Sequence, residues 1–177
     1  MSRAGCCLAA LLSIAVGPPG AAASPVVAAR PTGAAPLYSA IRTELRRSAV
    51  TVLLPLRVPR SIGPIRSVAL IDAGASGYYV GFSPLPQCAG ALSCAFLHVY
   101  GYPATAGMDR SYRRDRAVRL PGGARGFYHP QDCSSAGCTE ASLTFERGGA
   151  VYELDAKVGP NNLAPLLDTY RGLHVIR

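Results

Sequence analysis

The sequence predicts an α+β fold: a mainly antiparallel β-sheet with an N-terminal and a C-terminal helix packed on it. Three observations lead there. The stretch "TEASLTFERGGAVYELDAK" (139–157) folds in half about Gly148-Gly149 with its apolar residues on one side. Residues 65–129 divide into short segments rich in aliphatic and aromatic residues, separated by turns containing Gly or Pro. The stretches 36–48 and 160–173 carry apolar residues at helical spacing. A sheet-forming middle with helices at either end is the pattern of a sheet whose helices cover one face.

The chain opens with a different kind of segment. Arg3 precedes the eleven-residue apolar run "CCLAALLSIAV" (6–16), followed by the helix-breaking "GPPG" (17–20) and the small residues "AAAS" (21–24). Charge, short apolar run and small-residue site, in that order, mark a secretory signal peptide, expected over residues 1–23. The run is shorter than the roughly 20 residues a membrane span needs, and no later stretch is apolar enough, so no transmembrane segment is expected in the mature chain. Cys6 and Cys7 would leave with the signal. Residues 24–35 read as a flexible Ala/Pro-rich leader, and 36–177 as a single domain long enough to enclose one hydrophobic core. The expected location is exported, periplasmic or secreted. Loss of Arg3 with the signal lowers the formal charge from +8 to +7, which favours anionic partners such as envelope lipids or acidic glycans. Export makes nucleic acid an unexpected partner.

Within the domain, "PLYSAIRTELRRS" (36–48) places Leu37, Ile41 and Leu45 four residues apart, an amphipathic helical stripe. "VTVLLPLRVP" (50–59) is restricted by Pro55 and Pro59 to an edge strand or extended segment. "IRSVALID" (65–72) and "GYYVGFS" (77–83) form a predicted hairpin around a four-residue "AGAS" loop, and "AFLHVYGY" (95–102) is a further strand. "RAVRL" (116–120) and "ARGFYH" (124–129) flank "PGG", a strong turn signal.

In the 139–157 hairpin, a two-residue Gly148-Gly149 loop sets Arg147 opposite Ala150, and counting does the rest. Phe145 meets Tyr152, Leu143 meets Leu154 and Ala141 meets Ala156 on one face. Thr144 meets Glu153, Ser142 meets Asp155 and Glu140 meets Lys157 on the other, which reads as solvated. A one-residue slip would exchange the faces. The final helix, 160–173, has Asn162 as a capping residue, Pro165 in its first turn, a stripe of Leu163, Leu166, Leu167 and Tyr170, and Gly172 as its stop.

Cys88, Cys94, Cys133 and Cys138 occur as two tight pairs, each lying between strands. Four cysteines allow three disulfide pairings. Crossed pairing closes longer loops and gains more chain entropy, but cysteines at the two ends of a short strand-to-strand loop readily reach the roughly 5–6 Å Cα separation a disulfide needs. Local pairing, Cys88 with Cys94 and Cys133 with Cys138, is therefore the expected one. The rival is a zinc site assembled from both pairs with nearby His129. The C-x5-C and C-x4-C spacings and the oxidising compartment weigh against it. The redox motif C-x-x-C is absent.

"LLPLRVP" (53–59), "GYYVGF" (77–82), the C-x-G-A-x-x-C pattern of residues 88–94, and a second cysteine pair ahead of "FERGGAVYEL" (145–154) together resemble a group of uncharacterised secreted bacterial proteins. The resemblance spans roughly residues 45–170 and implies an exported domain with paired cysteines. It carries no activity.

The chain has no H-E-x-x-H, G-x-S-x-G or P-loop motif, and no metal or other cofactor is expected. His129 with Asp132 or Glu140 is the one cluster suited to acid–base work, which would make the protein a small exported hydrolase. His98 reads as a packed histidine and His174 as a solvated one in the tail. Glu153 and Asp155 read as members of the solvated hairpin face. "DRSYRRDRAVR" (109–119) concentrates Arg110, Arg113, Arg114, Arg116 and Arg119 against Asp109 and Asp115. Guanidinium groups suit two-pronged capture of phosphate or carboxylate, so these arginines are the expected ligand-binding residues. The preferred reading is a non-catalytic exported domain that binds an anionic envelope component.

Overall fold

The computed structural model describes residues 35–86, 88, 94–105, 110–135 and 137–176. The expected signal peptide, nearly all of the leader, and Asp109 lie outside those residues. The strands are β1 (Leu53–Pro55), β2 (Ser67–Gly74), β3 (Gly77–Ser83), β4 (Leu97–Pro103), β5 (Arg116–Arg119), β6 (Arg125–His129), β7 (Cys133–Ser134), β8 (Gly137–Cys138), β9 (Ala141–Arg147), β10 (Ala150–Ala156) and β11 (Leu173–Val175). The helices are α1 (Arg42–Leu45), preceded by 3-10 turns over Ala35–Ala40, and α2 (Ala164–Arg171). Seven strands form one antiparallel sheet in the order β2-β3-β4-β10-β9-β6-β5.

At the centre of the sheet β9 and β10 pair in the register that counting from the Gly-Gly turn gives. Phe145 faces Tyr152, Leu143 faces Leu154 and Ala141 faces Ala156. Gly148 and Gly149 have φ of 59° and 76°, the left-handed conformations that a two-residue hairpin turn demands and side chains resist. The apolar face continues outward through Val99 and Leu97 on β4, Tyr78, Val80 and Phe82 on β3, and Tyr128 on β6, all buried. Gly101 stands directly opposite both Tyr78 and Tyr152. A Cβ there would run into the Tyr78 ring, so the glycine is what lets the two tyrosines flank it.

Helical segments from both ends of the domain cover this face. Leu37, Ile41 and Leu45, the predicted stripe, are all buried, joined by Tyr38. The segment is shorter in α-helix than the pattern suggests: 3-10 turns occupy its first half. Leu166 of α2 is fully buried, while Leu163, Leu167 and Tyr170 pack half-buried against the core. Asn162 does not cap this helix: the N-cap position is Leu163, and the Asn162 side chain donates to the Val158 carbonyl instead.

β1 lies apart from the large sheet and pairs with β11, a tail strand that the sequence pattern did not announce. His174, expected in a solvated tail, is exposed but sits in this pairing opposite Leu54. Tyrosine hydroxyls tie the segment to the sheet and to the N-terminal 3-10 turns. Tyr78 donates to the Leu53 carbonyl at 2.8 Å, Tyr152 donates to that of Thr51 at 2.9 Å, and Tyr38 donates to that of Pro55. The β2–β3 turn is tighter than expected, with Ala75 and Ser76 as its two loop residues because Gly74 pairs with Gly77. A bulge at Ile71 absorbs the difference in count along β2.

Both cysteine pairs are local. Cys88 bonds Cys94 across a Cα separation of 5.9 Å, and Cys133 bonds Cys138 across 4.0 Å. The second pair spans the two-stranded β7–β8 hairpin, where the two cysteines are direct cross-strand partners.

Two measurements check this architecture. Phe145→Ala, which empties a site 1% exposed at the centre of the core, should cost about 3–5 kcal/mol in chemical denaturation, whereas Arg147→Ala on the exposed end of the same strand should cost less than about 0.5 kcal/mol. Non-reducing peptide mapping should recover Cys88 joined to Cys94 and Cys133 joined to Cys138, and opening either short loop should cost roughly 2 kcal/mol. A peptide bridging the two pairs would contradict the structure.

Candidate functional site

The face of the sheet opposite the helices is a groove. Because cross-strand partners point the same way, its residues fall into rows that can be read across the strands. One row runs Tyr79, Tyr100, Glu153, Thr144 and Phe127 from β3 to β6. The next runs His98, Asp155, Ser142 and His129 from β4 to β6. Apart from Phe127, these rows and the neighbouring Tyr102, Tyr112 and Glu140 line a cavity of about 900 Å³. The hairpin face expected to be solvated is thus the floor of a groove. Thr144 is 1% exposed, overturning its reading as a surface position; Phe127, beside it in the row, is buried as well.

The two histidines of the second row each meet a carboxylate. His98 is buried, with its Nδ1 at 2.9 Å from Glu140 Oε2, while Lys157 lies 3.7 Å from the other oxygen of the same carboxylate. His129 is exposed and its Nδ1 lies 3.1 Å from Asp115 Oδ1. The predicted acid–base group is therefore partnered differently from the expectation: Asp115, not Asp132 or Glu140, holds His129. Asp132 instead closes the base of the β7–β8 hairpin through its backbone, which pairs with Thr139.

Glu153 and Asp155 stand side by side on β10, and they perturb each other. Burial, then the Glu153 charge, then that of Glu140 push the Asp155 carboxyl up to about 9. Burial also raises Glu153, against a hydrogen bond shared with Asp155 that acts in the opposite direction. Two adjacent carboxyls in low-polarity surroundings cannot both ionise cheaply, so the pair retains a proton near neutral pH. Tyr79 stacks on Tyr100 with ring centroids 4.2 Å apart, forming one wall beside the pair. Burial raises both hydroxyls above the usual tyrosine range.

The arginines form a rim at the β5 edge rather than lining the groove floor. Arg113, on a 3-10 turn over Ser111–Arg114, forms an ion pair with Glu146, which also accepts a hydrogen bond from Tyr112 at 2.6 Å. Tyr112 first, and then Arg113, hold the Glu146 carboxyl below the usual carboxylate range. Arg116 lies over the Tyr128 ring at 4.8 Å. Arg119 is the direct cross-strand partner of Arg125, which in turn lies 5.0 Å from the centre of the Phe127 ring. Arg110 and Arg114 are exposed on the same approach. Among the described residues no carboxylate forms an ion pair with Arg119 or Arg125, and shallow cavities of about 400 and 340 Å³ flank Arg125.

Arg125 and Asp115 were absent from the residues expected to act, yet counting from the "PGG" turn would have placed Arg119 opposite Arg125 and Asp115 beside His129. The His98–Glu140 pair had no comparable signal, since it joins β4 to the start of β9 across 42 positions. Among the described residues no group of three or more His, Cys, Asp or Glu side chains could hold a metal ion, and no helix is long and apolar enough to cross a membrane. Comparison with known proteins gives no match to a family model, to a curated protein or to a solved structure.

The carboxyl pair makes a pH prediction. Asp155 takes up its proton far more readily in the folded chain than an unfolded aspartate, with a pKa near 3.9, would. The folded state then holds the extra proton between about pH 4 and the raised value, so stability falls as pH rises through that window. The thermal midpoint should drop from about pH 5 to about pH 8, and Asp155→Asn, which is neutral throughout, should flatten that decline. An unchanged slope in the folded variant would contradict the assignment.

Proposed function

We propose that the protein is an exported, disulfide-stapled binding domain whose arginine rim engages an anionic envelope component, the phosphate or carboxylate groups of lipids or acidic glycans. The observation that carries the reading is the Arg119–Arg125 pair. Like charges directly opposite each other on adjacent strands are destabilising, and this pair stands at the sheet edge with no carboxylate ion-paired to it among the described residues. An anion placed between the two guanidiniums relieves the repulsion and accepts forked hydrogen bonds from both. Arg110, Arg113 and Arg114 extend the positive surface beside it, Arg116 lies over Tyr128 on the other face of β5, and Arg125 joins the set expected from sequence alone. Two local disulfides agree with an oxidising compartment. The alternative of a hydrolase built on His129 with Asp132 or Glu140 lacks support, because His129 is engaged by Asp115 and Glu140 by His98.

Electrostatic capture weakens as salt shortens the Debye length from about 10 Å at 0.1 M to about 3 Å at 1 M. Wild-type protein should be retained on liposomes containing phosphatidylglycerol at the lower salt and released at the higher. The Arg119→Ser/Arg125→Ser variant should lose retention with its thermal midpoint unchanged or raised. A parallel column of immobilised polygalacturonate separates lipid from glycan as the source of the anion. Retention on either support that persists through both the double substitution and high salt would overturn the proposal.

A further inference from the structure

The floor of the groove poses a different chemical question from its rim. Glu140 and Asp115 have cationic or potentially cationic partners in Lys157, His98 and His129. Among the described residues Glu153 and Asp155 form no ion pair; they act on each other, while Asp115 and His129 act on Glu153 in opposite senses. Asp155 Oδ1 is buried without a hydrogen-bond partner, and so is Nε2 of His98, a side chain only 6% exposed. His98 Nδ1 faces Glu140, which leaves Nε2 as the unpartnered nitrogen of the ring. The two orphaned atoms belong to direct cross-strand partners. The Asp155 carboxyl oxygen there lacks a donor.

The groups around that place come from every neighbouring strand. β3 and β4 contribute the stacked pair Tyr79 and Tyr100, with Tyr100 directly opposite Glu153. Tyr102, on the same face of β4, continues the wall. From β9 and the segment before it come Ser142, Thr144 and Glu140, and from the β6 side the Asp115–His129 pair; Lys157, beyond the end of β10, is turned to Glu140.

We propose that the groove over β10 binds a small primary ammonium compound, its charge set against Glu153 and Asp155 and its carbon chain lying against the tyrosine wall. An ammonium supplies what the carboxyl pair lacks, three N–H donors and one positive charge, and tyrosine faces attract cations and their methylene groups alike. A neutral polyol brings donors but no charge. A phosphate or carboxylate would meet four acidic residues. Binding displaces the proton held between the two carboxyls, which leaves to solvent as the ammonium takes its place, so charge is conserved at the site. The proposal is independent of the arginine rim, which is tested by a different readout.

Isothermal titration calorimetry with putrescine tests it, using 1,4-butanediol and glucose as uncharged comparisons. Putrescine stays protonated between about pH 6 and pH 8, its amines titrating near the range of lysine. Its dissociation constant should fall by roughly tenfold per pH unit across that interval, with about one proton released per ligand in buffers of different ionisation enthalpy. Asp155→Asn should weaken binding at least about tenfold and remove the pH dependence. Tyr79→Leu, on the more open side of the wall, should weaken it while leaving proton release intact. Absence of putrescine binding, equal binding of butanediol or glucose, pH-independent binding, or wild-type affinity in folded Asp155→Asn would each overturn the proposal.

Discussion

The register between β9 and β10 governs everything else in the molecule. Phe145 against Tyr152 and Leu143 against Leu154 commit one face of the central hairpin to the core. The same geometry commits Thr144, Glu153, Ser142 and Asp155 to the other. Side chains alternate with a period of two, so a slip of one residue would place carboxyls under the helices and aromatic rings in the groove. Because β4 docks on β10 and β6 on β9, the two faces of the hairpin propagate outward as continuous rows. Core and groove are two sides of one pairing.

That dependence explains which features were legible in the sequence. The hairpin could be counted residue by residue because its turn is two glycines and its flanks alternate strictly. The first helical stripe was legible because Leu37, Ile41 and Leu45 recur at one spacing, although spacing alone cannot separate 3-10 turns from α-helix over so short a stretch. The groove was not legible. A polar strand face looks the same in sequence whether water or a neighbouring segment covers it, and only the assembled sheet, with the turn carrying Tyr112 at its rim, buries Thr144 and half-buries Asp155. β11 escaped for another reason: three residues carry too little pattern to distinguish a strand from a tail. The histidines illustrate the limits of proximity along the chain. Asp132 is three positions from His129, but Asp115 reaches it through strand pairing.

The distribution of charge has a comparable logic. A chain with a formal charge of +8 nevertheless gathers Asp115, Glu140, Glu153 and Asp155 along one concave surface and concentrates arginines at the adjoining edge. Glu146 stands at the junction, held by Tyr112 and Arg113. Its exposed ion pair adds little stability of the kind that buried packing supplies. Its importance is positional, since it fastens the turn carrying Arg113 to the end of β9. The rim is thereby mechanically joined to the groove, although their chemical preferences are opposite.

The pairing of β1 with β11 bears on how the chain behaves before it is complete. Leu53 and Leu54 are buried in the finished domain, yet their partner strand is made of residues 173–175, which are synthesised long after them. Until those residues arrive, the growing chain carries "LLPL" with its backbone unpaired, an apolar segment of the type that recruits strands from other molecules. Pro55 lies within that segment and Pro59 just beyond it, and neither can donate a backbone hydrogen bond to a foreign strand. The prolines that confine β1 to three residues therefore also guard it during the interval when it has no partner.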